Sequence, residues 1–313
     1  MIDIKTSKMF RGLAILIVMA SHFAAGMYDE PVRPALKEFI SVLGIYGVDI
    51  FMVLSGYGMV KAAQKKGITS EFVIKRIIST YVPYILIVGF FKIIDGEFCS
   101  AADVGMFLIG YEYWYMCVLF AFYILFMIVY KIDRFRVPLI TVGIVAFSIL
   151  LYKIGMSDFW VLSNGAFLIG IYAAELEKKF GSRTEEFIRK INLSLIAMTV
   201  MLIFAYIYSV NGAMWSRMCT SMSFSVMVLA VCAGAYGGGV ILPSIGKYSM
   251  YIYLLHLRLF WKFVMWHVEW GYFKSAVVAG IFTLVIATAV GYAMEFNLGL
   301  LFKFISGRIR KQA

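Results

Sequence analysis

The sequence predicts an all-α, polytopic membrane bundle of about ten transmembrane helices with both termini cytoplasmic. Three observations carry that prediction. Hydrophobic residues make up 62% of the chain and charged residues 15%, against roughly 25% charged in a soluble domain. Apolar runs of about 20 residues, long enough to cross a bilayer, recur along the whole length. Basic residues concentrate in alternate connecting segments, which is how cytoplasmic loops hold a helix in its orientation. The period-two alternation of a membrane β-barrel is absent. The spans leave no room for a sizeable soluble domain, so residues 1–313 read as one integral membrane domain.

Apolar length places the spans at approximately 9–27, 38–60, 77–94, 113–130, 137–152, 158–176, 192–210, 215–236, 243–266 and 276–302. Segments assigned to the inside are rich in Lys and Arg: Lys5, Lys8 and Arg11, then Lys61 to Arg76, Lys131 to Arg136, Lys178 to Lys190, and Lys303 to Lys311. Outer segments carry only Arg33, Lys37, Lys153, Arg217 and Lys274. The net charge of +11 is thereby explained by loop orientation in a plasma or inner membrane, and no nucleic-acid partner is implied. Lys5, Lys8 and Arg11 before a short apolar core and Phe23-Ala24-Ala25-Gly26 imitate a secretory signal. The loop signs require this first helix to be retained. Residues 177–191 read either as an amphipathic surface helix or as a solvated charged turn. Cys99, Cys117, Cys219 and Cys232 lack metal-like spacing, and no disulfide is expected.

Polar residues at membrane depth are the candidate functional groups. Arg11 and His22 are eleven helical steps apart, which brings them back to within about 20° of one another and separates them by about 16 Å. One face therefore carries a guanidinium at the inner edge and an imidazole near the middle. Asp49 in span two lies twelve residues from Lys61, about 18 Å above the inner edge. That height suits a pairing with His22, although a bridge between helices explains it as well. Glu295 and His256 are also intramembrane, as is Ser55, so His22, Asp49, His256 and Glu295 are expected around one interior cavity. Arg76 sits level with Arg11, and two guanidiniums at one mouth suit a phosphorylated ligand as well as they suit orientation anchors. Pro83 should kink span three. Tyr111-Glu112-Tyr113-Trp114-Tyr115 opens span four at the outer surface, either as an aromatic belt or as a sugar-binding mouth. His267, near Trp266 and Trp270, reads as interfacial. No two histidines lie four apart on one helix, Gly237–Gly239 lacks a phosphate-loop signature, and no Gly-x-Ser-x-Gly elbow is present.

Taken in order, Arg11 with His22, Gly47-Val48-Asp49-Ile50-Phe51 with Ser55-Gly56-Tyr57, Arg76 with Pro83-Tyr84, Glu112-Tyr113-Trp114-Tyr115, and Ile245-Gly246 with Ser249 and Tyr253-Leu254-Leu255-His256 resemble the acyltransferase 3 family of integral membrane acyltransferases. The resemblance covers about residues 8–302. Thr80 stands where many members carry a second arginine, and Asn297 where many carry proline. The resemblance implies an O-acetyltransferase of the kind that decorates bacterial surface polysaccharides. Acetyl-CoA, as co-substrate and with no further cofactor or metal, would bind with its phosphates near Arg11, Arg76, Lys61 and Lys65. A sugar hydroxyl, on an extracytoplasmic or lipid-linked glycan, would enter near Glu112, Trp114 and Tyr115. His22 would act as general base, helped by Asp49 or Glu295, with an acetyl-imidazole intermediate as the competing version. A secondary transporter with a buried Asp/Glu/His site is the alternative that the composition leaves open. Acyl group, acceptor sugar and oligomeric state stay open at this level.

Overall fold

The computed structural model describes residues 2–25, 34–132, 134–235, 239–266 and 272–312. Arg33, Gly237, Gly238, His267, Trp270 and the Gly26 of the signal-like segment lie outside them. Among the described residues the secondary structure is helical throughout. In chain order the helices are α1 (Ile4–Ala25), α2 (Pro34–Lys66), α3 (Ser70–Arg76), α4 (Val82–Ile94), α5 (Ala101–Ile109), α6 (Trp114–Val129), α7 (Arg136–Lys153) and α8 (Phe159–Leu162). There follow α9 (Asn164–Phe180), α10 (Arg183–Lys190), α11 (Leu193–Asn211), α12 (Met214–Gly234), α13 (Ile241–Lys247), α14 (Ser249–Trp266) and α15 (Tyr272–Gln312). Among the described residues eight helical segments are long and apolar enough to cross a membrane, and the bent pair α5–α6 brings the number to nine where it counts as one span. This is a multi-pass membrane protein. The expected ninth span, α14, is not one of the eight, because its eighteen residues include His256, Arg258 and Lys262.

The bundle is organised around α1 and α2. The α1 helix packs on α2, α13 and α14, while α2 also packs on α9 and α12. Glycine permits the closest of these approaches. A β-carbon on Gly246 would meet the backbone of Lys8 and Gly12, and one on Gly12 would meet the carbonyl of Leu242. Without side chains at the crossing, α1 and α13 bring their backbones into contact, as small residues allow in membranes. At the periphery, α11 packs mainly on α12 and leaves Leu195, Ile196, Leu202, Ile203 and Val210 exposed for lipid. The segment expected at 177–191 contains α10, whose Ile188 packs on Ala230 and Ala233 and whose Glu185 and Arg189 pair one turn apart.

Two departures from straight helices shape the site. Pro83 has no N–H to offer the turn before it. Residues Ile77–Tyr81 form a π-helical turn, with the Val82 N–H reaching Ile77 O, and join α3 to α4 as one span, Ser70–Ile94. The second departure was not expected. Ser100 caps α5 by accepting the Asp103 N–H and donating its hydroxyl to the Asp103 carboxylate. Gly110 then ends it at φ +80°, a conformation glycine adopts without strain. The chain turns by 65° and restarts as α6. Span four therefore has a broken top, and Glu112 and Tyr113 sit in the break.

Candidate active site

His22 and His256 meet at the centre. His22 Nδ1 lies 2.7 Å from His256 Nε2, and the two rings are nearly parallel, with centroids 5.0 Å apart. His256 Nδ1 lies 2.7 Å from the backbone carbonyl of Tyr253. A carbonyl only accepts, so His256 Nδ1 carries a proton and donates it. With that ring neutral, its Nε2 is a lone pair, and His22 Nδ1–H must be the donor towards it. Neutral His22 is then left with a bare Nε2. One hydrogen-bond chain thus fixes the tautomer of both rings, as an outer partner commonly does for a working histidine.

The other two residues expected beside His22 lie elsewhere. Gly47 of α2 faces α1, since a β-carbon there would meet Val18 and the Ala14 carbonyl. Asp49 follows by two residues, about 200° further round the helix. It points with Gly56, seven residues on, towards α9 and α12. There it accepts a hydrogen bond from Ser221 at 2.6 Å and forms no ion pair or hydrogen bond with His22. Glu295 of α15 is at the inner mouth and pairs with Lys247 at 3.1 Å. The expected match in height is not found: α2 sets Ser41 and Gly44 against Ser21 and Gly47 against Val18 and Ala14, so Asp49 lies nearer the Arg11 end than His22 does, and of the four deep groups only the two histidines touch.

The inner mouth holds two cavities of about 380 and about 770 Å³ that share Arg11, Lys75 and Arg76 in their walls. The larger adds Lys8, Lys61, Lys65 and Lys66, with Asp3 and Glu71 as the acidic residues among the described ones that line it. Lys61 is also paired with Glu177 at 3.3 Å, and Lys66 with Glu71 at 3.4 Å. The smaller cavity runs deeper, past Ser55, Tyr115 and Tyr123 to Tyr253, the residue whose carbonyl holds His256. Thr80, in place of an arginine, lines it, as do Lys247 and Glu295. The N-terminal half of α1 and the C-terminal half of α15 meet at this one cavity, so they lie on one side of the bundle.

A model of the acyltransferase 3 family, described as an acyltransferase domain, matches residues 7–295, nearly the whole chain. The chain belongs to this family. No curated protein and no solved structure gives a significant match.

Around the histidines of this acyltransferase, the aromatic residues of the α5–α6 break divide. Tyr113 and Tyr115 turn towards α14, where both rings contact Tyr253, and the Tyr113 hydroxyl donates to Leu254 O at 3.3 Å. Trp114 packs on Phe159 and, edge to face, on Tyr115. Of Glu112, Trp114 and Tyr115, expected as one acceptor mouth, the Trp114 and Tyr115 rings meet edge to face, and Tyr115 also lines the basic-side cavity. Glu112 is held by Lys92 at 2.5 Å. Lys92, whose side chain is 3% exposed, also binds Glu97 at 3.0 Å. Arg258 grips Glu97 through two hydrogen bonds of 2.6 and 3.0 Å, and Asp95 takes Arg258 and Lys262 at 2.9 and 3.0 Å. Arg258 is two residues beyond His256, so this clasp fixes the rotation of α14 just above the histidine pair. The guanidinium, with Lys92, holds the Glu97 carboxyl down at about 2. Sequence reasoning did not single out Arg258 and Lys262. Their signal was available: two cations one helical turn apart inside an otherwise apolar span.

Proposed function

We propose that this acyltransferase moves a short acyl group, acetyl in the first instance, from cytoplasmic acyl-CoA to a hydroxyl of an extracytoplasmic or lipid-linked glycan. The 2.7 Å contact of His22 Nδ1 with His256 Nε2, with His256 Nδ1 on the Tyr253 carbonyl, is the observation that carries the reading, because it leaves His22 Nε2 free to act as the base. Supporting it, the basic cavity around Arg11 and Arg76 suits the phosphates of the nucleotide end, with Lys61 and Lys65 alongside. The smaller cavity, which reaches Tyr253, suits a pantetheine arm. The rise of about 16 Å from Arg11 to His22 is of the length such an arm spans.

In this mechanism His22 Nε2 takes the proton of the acceptor hydroxyl as its oxygen bonds to the thioester carbon. The imidazolium that forms is stabilised by the Nδ1–H bond to His256. Collapse of the tetrahedral intermediate breaks the carbon–sulfur bond, and the proton on Nε2 passes to the departing thiolate. The thioester is already activated, so positioning and proton transfer suffice. Asp49 and Glu295 have no part in the proton transfer.

The test is membrane vesicles from producing cells supplied with [¹⁴C]acetyl-CoA. Label should appear in the extractable glycan fraction and release one thiol per acetyl transferred. Thiol release without glycan label, or no thiol release at all, would count against the proposal.

A further inference from the structure

A third cavity lies on the seam between α7 and α9. Its volume is about 380 Å³, and Arg136, Tyr172, Glu175, Leu176, Lys178 and Lys179 line it. None of these residues lines either cavity of the inner mouth. Arg136 opens α7, and the two lysines stand in the last turn of α9. Glu177, beside Lys178, pairs with Lys61 of the mouth, so this cavity sits at the same basic end of the bundle. Both of its helices belong to segments long and apolar enough to cross a membrane.

The wall changes character with depth. Tyr172, Leu176 and Lys179 follow one another at intervals of four and three residues, which puts them in one stripe on α9. Seven residues rise about 10 Å, and a headgroup region is about 5–8 Å deep on each side of the hydrocarbon. A phosphate beside the lysines therefore sets ester groups and the first chain carbons level with Leu176 and Tyr172. The Tyr172 hydroxyl meets Thr141 Oγ1 at 3.0 Å and links the two helices at that depth. Tyr172 and Leu176 are exposed, as are Leu139 and Val142 of α7, so acyl chains leaving the cavity meet an apolar surface.

The charge is also complementary. Among the described residues that line the cavity, three cations accompany one carboxylate. Glu175 takes Arg136 at 3.2 Å and the Tyr130 hydroxyl at 2.6 Å. Among the described residues Lys178 and Lys179 have no carboxylate partner, and Lys179 lies over the ring of Phe180. Orientation anchors need only charge near water. Two such lysines walling a cavity that opens on an apolar face have the form of an anionic-lipid site. We propose that the α7–α9 cavity binds one anionic phospholipid, its phosphate between Lys178, Lys179 and Arg136 and its chains along Leu176 and Tyr172. The site is independent of the acyl-transfer reading, because it shares no residue with the donor cavities or the histidine pair.

The experiment uses the purified, delipidated full chain in detergent, titrated with phosphatidylglycerol or phosphatidylcholine, with bound lipid counted by native mass spectrometry. One phosphatidylglycerol should be retained saturably, about ten-fold or more tighter than phosphatidylcholine. Lys178→Ala/Lys179→Ala should weaken phosphatidylglycerol binding about 30-fold, the worth of two basic contacts. Leu176→Trp, which fills the cavity and keeps all three cations, should weaken it about ten-fold. Lys190→Ala/Lys303→Ala removes the same charge outside the cavity and should stay within about two-fold of wild type. Equal affinity for the two lipids, or no saturable binding, overturns the proposal. So does an equal loss in the two double variants, which would assign the effect to overall surface charge, or wild-type binding in Leu176→Trp.

Discussion

Replacing His256 by phenylalanine removes the acceptor for His22 Nδ1–H while keeping a ring in its place. The lost bond is 2.7 Å long in the folded protein, and no other hydrogen-bond partner of His22 is present among the described residues. An unsatisfied buried donor costs about 1–3 kcal/mol. The cheapest escape for His22 is to move its proton to Nε2, which removes the base. The expected result is a fall in kcat of about 10- to 100-fold. KM for acyl-CoA should stay within about two-fold, because His256 lines neither inner cavity. His256→Gln, whose side-chain oxygen falls near the old Nε2, should recover part of the loss. Thiol release from acetyl-CoA by producing-cell vesicles measures both constants, with unfolding temperature as the control. Wild-type kcat in His256→Phe, or a defect confined to KM, would refute the tautomer argument. A His256→Gln variant no better than His256→Phe would refute the acceptor role while leaving a packing role.

Arg11→Ala and Arg76→Ala should each raise KM for acyl-CoA about 10- to 100-fold with a smaller change in kcat, the worth of one charge-assisted contact; isothermal titration with free coenzyme A gives the same ranking without any acceptor. Glu97→Gln should lower kcat with little effect on coenzyme A affinity, because the Arg258 clasp holds α14 and not the donor mouth. Its pH signature has a definite sign: the folded carboxyl sits near 2, below its unfolded value of 4.5. The clasp's contribution to stability is therefore full above pH 4.5 and is lost as pH falls towards 2, so acid unfolding of the wild type should show a component that Glu97→Gln lacks. Gly246→Val puts a side chain into the Lys8 and Gly12 backbone, so the yield of folded monodisperse protein in detergent should collapse, whereas Gly234→Ala, where a β-carbon meets nothing, should be tolerated.

Much of the bundle was legible because lipid imposes a coarse rule, a long apolar run for each crossing. The face shared by Arg11 and His22 was legible for the same kind of reason, since both lie on one helix and periodicity alone relates them. Contacts between helices were another matter. Counting residues from the span ends puts Asp49 and His22 at similar heights, yet the register of α1 on α2 sets Gly44 beside Ser21 and Gly47 beside Val18, which separates the two in height, and α2 turns Asp49 away from α1. His256 was seen as deep and polar, but its partner depended on where α14 lies against α1. The broken top of span four had a local signature, Ser100 with Asp103 at the start and Gly110 at the end. It was overlooked because the apolar run at 113–130 accounts for a whole crossing by itself.

The central claim is acyl transfer that depends on His22. Its most direct test is mass spectrometry of surface glycans from cells carrying the wild-type chain, the His22→Ala chain or neither. The account predicts one added acyl mass on a defined sugar in wild-type cells only, with both proteins present in the membrane in equal amounts. The same acyl mass at full level in His22→Ala cells would contradict it.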